Sequence, residues 1–186
     1  MNTSSIRIIG GRNKSYRIVF KASPDLRPTS DRAKETLFSW LQFEIENKSW
    51  LDLFAGTGAL GLEALSRGAN HVTFVEKDKV LHLNIIKNIN HLGHKNNIEI
   101  FHNDAYRWLK TNKKTFDYIF LDPPFDKVEY PDLLSKIYER NIINEGGKIF
   151  LETSKHTKLK LRDSQRILKD KIIGDVRLMI LQWKLE

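Results

Sequence analysis

Four acidic residues stand at or beside the ends of apolar stretches: Asp52 in WLDLF, Glu76 in HVTFVE, Asp104 after IEIFH and Asp122 after FDYIFL. Asp122 is followed by Pro123, Pro124 and Phe125. Proline has no N–H, so this turn offers carbonyls and a carboxylate but few donors. A neighbouring aromatic ring can stack on a flat ligand. Such a site suits a planar amine. The exocyclic amine of a nucleobase is a poor nucleophile because its lone pair is conjugated into the ring. Acceptors that hold both N–H bonds favour a pyramidal nitrogen and aim the lone pair at an electrophilic methyl, a gain of alignment and electrostatics. The proton then leaves to Asp122 or to solvent. A plain loop exit with a capping Phe is the alternative, and the motif's place after the fourth strand of the pattern makes it the weaker one.

Asp52 is followed by Gly56, Gly58 and Gly61, a GxGxxG between a strand and a helix, where glycine permits a tight turn and close approach to a cofactor. This pattern fits dinucleotides and S-adenosylmethionine alike, and glycine also serves tight turns alone. Glu76, ending the next strand, is placed to bind the ribose hydroxyls of an adenosine cofactor, although it also reads as a surface carboxylate beside Lys77 and Asp78. Asp52 favours the methionine-bearing cofactor, whose ammonium lies close to such a loop and is suited by a carboxylate. Asp104 can accept from an adenine amino group while the Ala105 amide donates to the ring. It reads equally well as the N-cap of a helix over 105–111, and one residue can do both.

The elements that must position these groups follow from periodicity. IRIIGG and YRIVF, joined by RNKS, predict a hairpin, with Gly10 and Gly11 taking bulge or turn geometry. A helix starts near Thr29 or Ser30. WLDLF, HVTFVE, IEIFH, FDYIFL and GGKIFLET then read as strands, alternating with helices in ALGLEALSRG, KVLHLNIIKNINHLG, AYRWLKT and PDLLSKIYERN. QRILKDKII and VRLMILQWK close the chain as two strands joined through Gly174 and Asp175. Apolar strands between amphipathic helices mean an α/β fold, a parallel sheet covered on both faces with a hairpin added at one end. Ligands then bind beyond the carboxyl ends of the strands, where the acidic residues lie. The division expected is 1–28 for the hairpin and basic extension and 29–186 for a Rossmann-like body.

Composition narrows the function. The 186 residues suit one domain, and none is cysteine, which excludes disulfides, zinc ribbons and thiol catalysis. The six histidines show no metal-ligand spacing, so no metal is expected. Neither an apolar membrane span nor a secretory leader is evident, so a cytoplasmic protein without a membrane partner is expected. The net charge of +8 is segregated: residues 1–34 carry eight Lys/Arg against Asp25 and Asp31, and residues 155–171 carry seven against Asp163 and Asp170. That is the footprint of a polyanion-binding face on a nearly neutral body. A merely solvated surface is the alternative.

Taken together, RIIGGRNKSYRI, LRPTSDRAKETLFSWL, LDLFAGTGALGLEALSRGA, FVEKD, NDAYRWL, FDYIFLDPPF and GDVRLMIL resemble the RsmD family of bacterial 16S rRNA guanine-N2 methyltransferases over nearly the whole chain. The resemblance implies a class I S-adenosylmethionine-dependent methyltransferase fold: Rossmann-like, with a seven-stranded sheet, a C-terminal antiparallel hairpin and a small N-terminal β-hairpin. It implies methylation of N2 on one guanine, numbered 966 in 16S rRNA, within an assembled small subunit. Asp52, Phe54, Ala55, Gly56 and Gly58 fall on the methionine-side loop, Glu76 and Lys77 on the ribose site, and Asp104 and Ala105 on the adenine site. Asp122, Pro123, Pro124 and Phe125 fall on the target-amine motif. The segment from Arg27 to Glu35, with Thr29 and Arg32, closes over the cofactor and faces the substrate; the basic hairpin, with Arg7, Arg12, Lys14 and Arg17, touches rRNA phosphates. A monomer is expected. N6-adenine methylation of RNA or DNA, a non-catalytic RNA-binding assembly module and a nicotinamide-dependent oxidoreductase are the competing readings.

Overall fold

Strands that are apolar along their whole length need cover on both faces. The computed structural model describes residues 3–21, 29–94, 96–124, 128–159, 161–162 and 165–183. β1 (Thr3–Arg7) and β2 (Arg17–Lys21) pair antiparallel as a hairpin. β3 (Ser49–Asp52), β4 (His71–Glu76), β5 (Ile98–His102), β6 (Phe116–Leu121), β7 (Ile143–Ser154), β8 (Gln165–Ile173) and β9 (Val176–Trp183) form one sheet in the order β5-β4-β3-β6-β7-β9-β8. The first five of these strands run parallel, and β9 runs antiparallel between β7 and β8. The chain builds outward from β3 to β5 and then returns to lay β6 on the other side of β3. The β3/β6 boundary is therefore the topological switch point, where a crevice opens beyond the strand ends.

Among the described residues, five helices cover the sheet: α1 (Asp31–Trp40), α2 (Ala59–Ser66), α3 (Lys79–Leu92), α4 (Ala105–Thr111) and α5 (Tyr130–Glu139). α1, α2, α3 and the hairpin residues Ile6, Ile8, Ile18 and Phe20 share one apolar layer with Trp50, Phe74 and Phe120. α4 and α5 cover the other face, over Leu51, Ile119, Leu151 and Met179. Local chemistry sets the helix ends. Ser30, Asp78 and Asp104 accept from first-turn amides, satisfying donors that have no partner within the helix. Gly93, at φ +74°, closes α3 in the left-handed region. No helix among the described residues is long and apolar enough to cross a membrane.

Three boundaries differ from the sequence-based expectation. β3 stops at Asp52 rather than Phe54, because the Ala55 amide turns to the Val75 carbonyl (3.1 Å) and so bends the chain across β4. β7 begins at Ile143, ahead of the glycines: Phe116 pairs with Ile143, and after a register shift pairing resumes between Tyr118 and Lys148. β1 ends at Arg7, so Gly10 and Gly11 lie in the connection to β2, where the Gly11 carbonyl accepts from the Lys14 amide (3.2 Å) to close a turn, and both glycines also serve close approach. A Cβ on Gly11 (φ +73°) would stand 1.9 Å from the Ser66 carbonyl oxygen, and one on Gly10 would meet the Arg67 guanidinium at 2.3 Å. The backbone here is seated directly on the end of α2. Ser66 donates its hydroxyl to the Gly10 carbonyl (2.6 Å), while the amides of Arg12 and Asn13 donate to the Ser66 carbonyl and hydroxyl (2.8 and 2.9 Å).

Candidate active site

Because β3, β4, β5 and β6 are parallel neighbours, their carboxyl ends meet at one edge, and Asp52, Glu76, Asp104 and Asp122 arrive there together. The loop after β3 is drawn tight by the Gly58 amide donating to the Ala55 carbonyl (2.6 Å), with Gly56 and Gly58 at φ +53° and +77°. Gly61, a turn into α2, serves packing: a Cβ there would stand 2.2 Å from the Phe74 ring. Gly58 has no side chain with which to cap α2, and a first-turn amide of that helix, that of Gly61, turns instead to Asp52.

Asp52 is buried and accepts from the Gly61 amide (3.1 Å). Burial pushes its carboxyl up to about 7; the Asp122 and Glu76 charges add to the push and the Gly61 amide opposes it. Glu76 accepts from the Gly56 amide through Oε2 and from the Asp78 amide through Oε1, both at 2.7 Å, so it pins the glycine loop to the end of β4. Burial raises its pKa against those two hydrogen bonds. Each carboxylate oxygen carries a second lone pair on which a ribose hydroxyl can be received. Lys77 is exposed, and its carbonyl meets His102 Nε2 at 3.0 Å. Asp104 caps α4 through the Arg107 amide (3.1 Å), and Ala105 is buried in the first turn. The helix-cap role is thus realised, and it engages Oδ1.

Across the switch point, Asp122 is half-buried and its Oδ2 accepts from the hydroxyl of the buried Thr29 at 2.8 Å. Pro123 is buried and Pro124 exposed. Asp52, Glu76 and Asp122 bring like charges into one crevice, and this repulsion adds to the burial that favours the protonated form of Asp52. A cation is what this constellation would hold best.

α1 runs from Thr29 to the hairpin. Lys34, only 1% exposed, donates to the Arg7 carbonyl (2.6 Å) and pairs with Asp31 (3.0 Å). Arg7 and Arg17 face each other across the hairpin ladder, and both are exposed. Two like charges directly opposite cost stability. Arg12 leans on the buried His94, which burial and then the Arg12 charge keep below the usual histidine range. His94 also meets the Asn13 side chain (2.8 Å), and Tyr16 donates to Asn88 (3.1 Å), so the hairpin's loop is tied to α3. Lys14 and Arg32 are exposed.

The profile of the family described as "Conserved hypothetical protein 95" matches residues 6–182. Two curated relatives, both called Ribosomal RNA small subunit methyltransferase D, are similar over almost the whole chain. The one from Buchnera aphidicola is 37% identical over 175 residues, covering 94% of this chain and 91% of the relative; the one from Haemophilus influenzae is 38% identical over 180 residues, covering 95% and 93%. The chain belongs to the RsmD family. The solved structure of yhhF from Escherichia coli, 30% identical, superposes with a TM-score of 0.87 over 97% of this chain and 99% of that one.

Within this RsmD frame, the edge of the sheet brings together Asp52, Gly56, Gly58, Glu76, Asp104, Ala105 and Asp122, with Phe54 half-buried and Ala55 buried in the same loop. Arg7, Lys14 and Arg17 form a separate basic surface on the hairpin. Arg27 and Phe125 lie outside the described residues. Two groups escape sequence reasoning. Lys34 reads as one more surface lysine, and Glu63 as a polar position of α2. Yet Glu63 is wholly buried, accepting from the Ile9 amide and from Arg67 Nε, both at 2.7 Å. The Gly10-Gly11 pair is the signal that could have marked a docked backbone at this place.

Proposed function

We propose that this protein methylates N2 of a single guanine, position 966 of 16S rRNA, in the small ribosomal subunit, with S-adenosylmethionine as methyl donor. The observation that carries this reading is the placement of Asp122, after β6, beside Asp52, the last residue of β3, at the switch point of the sheet. It sets an acceptor for an amine next to a carboxylate suited to a cationic cofactor.

The donor set fits that cofactor. Asp52 would meet its ammonium, Glu76 its ribose hydroxyls, and Asp104 with the Ala105 amide its adenine, while the glycine loop admits it closely. Bound there, S-adenosylmethionine supplies an electrophilic methyl group. The protein's part is positioning. Asp122 Oδ and the proline-turn carbonyls accept the two N–H bonds of the guanine amine, holding its lone pair out of conjugation with the ring. Thr29 keeps the Asp122 carboxylate oriented through Oδ2. The proton released from N2 passes to Asp122 or to water. A base so engaged must leave its stack, and the exposed Arg7 and Arg17 on the hairpin, with Lys14 beyond β1, would take rRNA phosphates.

The test is product analysis. Labelled S-adenosylmethionine and small subunits lacking this methylation are incubated with the protein, and the digested rRNA should yield labelled N2-methylguanosine from one 16S fragment. Labelled N6-methyladenosine would overturn the choice of base, and cofactor binding without label would overturn the choice of substrate.

A further inference from the structure

A second cavity, apart from the strand ends, opens between the hairpin and α1. It measures about 240 Å³ and is lined by Arg7, Ile8, Ile9, Lys14, Ser15 and Glu35. Arg7, Lys14 and Glu35 are all exposed, and among the described residues none of the three enters an ion pair. Opposite charges that share a cavity without closing on each other leave room for a ligand that carries both complements. The walls are held firmly. Lys34 fixes the Arg7 carbonyl (2.6 Å), and the Ser15 amide donates to the Ile8 carbonyl (2.8 Å). Ser15 itself sits at φ +73°, a conformation a non-glycine residue keeps only where its surroundings enforce it, and such residues gather at binding sites.

We infer that this cavity receives a second, unstacked nucleotide of the RNA, flanking the methylated one. Its phosphate would meet Arg7 and Lys14, its ring would rest on the apolar wall of Ile8 and Ile9, and its amine would donate to Glu35. The size is below the roughly 300–1000 Å³ usual for larger ligands, as suits a single base. Glu35 selects among the bases. A carboxylate accepts from the amino groups of guanine, cytosine or adenine, whereas uracil has no exocyclic amine and offers only an N3–H flanked by two repelling carbonyls. The location agrees, since Glu35 lies about 6 Å along α1 from Asp31, next to the Thr29 that bonds Asp122. This inference rests on the rRNA methyltransferase reading above and names a second contact in it.

The experiment compares wild type with Glu35→Ala and Glu35→Gln on small subunits, and on subunits reconstituted with uridine in turn at each nucleotide flanking the target. Glu35→Ala should raise KM for subunits about tenfold, the scale of a hydrogen bond to a charged group, by more than it changes kcat or S-adenosylmethionine affinity; Glu35→Gln should fall between. One uridine substitution should raise the wild-type KM by a similar factor and add nothing in Glu35→Ala. An unchanged KM in Glu35→Ala, or a uridine effect that adds in full to the variant's, overturns the proposal. Failure of the wild type to methylate any subunit would instead count against the function proposed above.

Discussion

The Thr29 hydroxyl donates to Asp122 Oδ2 at 2.8 Å, a contact between residues 93 apart in the chain that joins the start of α1 to the end of β6. Since α1 also holds the hairpin through Lys34, the Asp122 carboxylate and the basic surface share one rigid element.

Removing that hydroxyl frees the Asp122 carboxylate to rotate. Thr29→Val should lower kcat about tenfold, corresponding to roughly 1–1.5 kcal/mol for a single hydrogen bond, with cofactor affinity unchanged. Thr29→Ser should restore most of the rate. Asp122→Ala should abolish turnover yet still bind cofactor, because its charge only burdens Asp52. Single-turnover kinetics and calorimetry separate these outcomes, and full activity of Asp122→Ala would remove it from the site.

Asp52 titrates near 7 in the fold and near 3.8 when unfolded. Between those values the folded protein keeps a proton that the unfolded chain has released, so its stability falls as pH rises from about 4 to about 7 and levels off above. The full span is on the order of 4 kcal/mol. Asp52→Asn should flatten that slope in urea melts while weakening cofactor binding. A cation bound beside Asp52 favours its ionised form. Cofactor affinity in the wild type should therefore rise with pH up to about 7, with proton release visible as a buffer-dependent heat.

Gly11 and Gly93 have nearly the same φ, +73° and +74°, but different surroundings: a Cβ on Gly11 would meet the Ser66 backbone at 1.9 Å, while one on Gly93 would find nothing within 4 Å. Gly93→Ala should thus cost only the left-handed conformation, about 1 kcal/mol. Gly11→Ala should cost about 2–3 kcal/mol and loosen the hairpin from α2. Equal losses in denaturant melts would show that the close approach contributes nothing.

Arg7 and Arg17 oppose each other in the ladder. Arg17→Thr should therefore stabilise the isolated protein by a few tenths of a kcal/mol and at the same time weaken rRNA binding. The slope of log affinity against log salt should fall by about 0.7–0.9 for each phosphate that the variant no longer neutralises. A variant with unchanged slope would remove Arg17 from the RNA interface.

What the sequence by itself determined is what depends on neighbours along the chain. Caps at Ser30 and Asp104 and the stop at Gly93 mark helix ends, because capping joins residues two to four apart. Uninterrupted apolar runs announce the parallel strands, and with them the edge at which Asp52, Glu76, Asp104 and Asp122 assemble. Tertiary structure alone decided which polar groups lose water. Lys34 and Glu63 look like surface residues until the hairpin closes over them, when the backbone of Arg7 and Ile9 replaces their solvent. The charge state of Asp52 likewise depends on burial and on carboxylates that arrive from β4 and β6. The Thr29–Asp122 bond exists only once both elements meet. Desolvation and long-range charge are properties of the assembled sheet, and no local pattern of residue types encodes them.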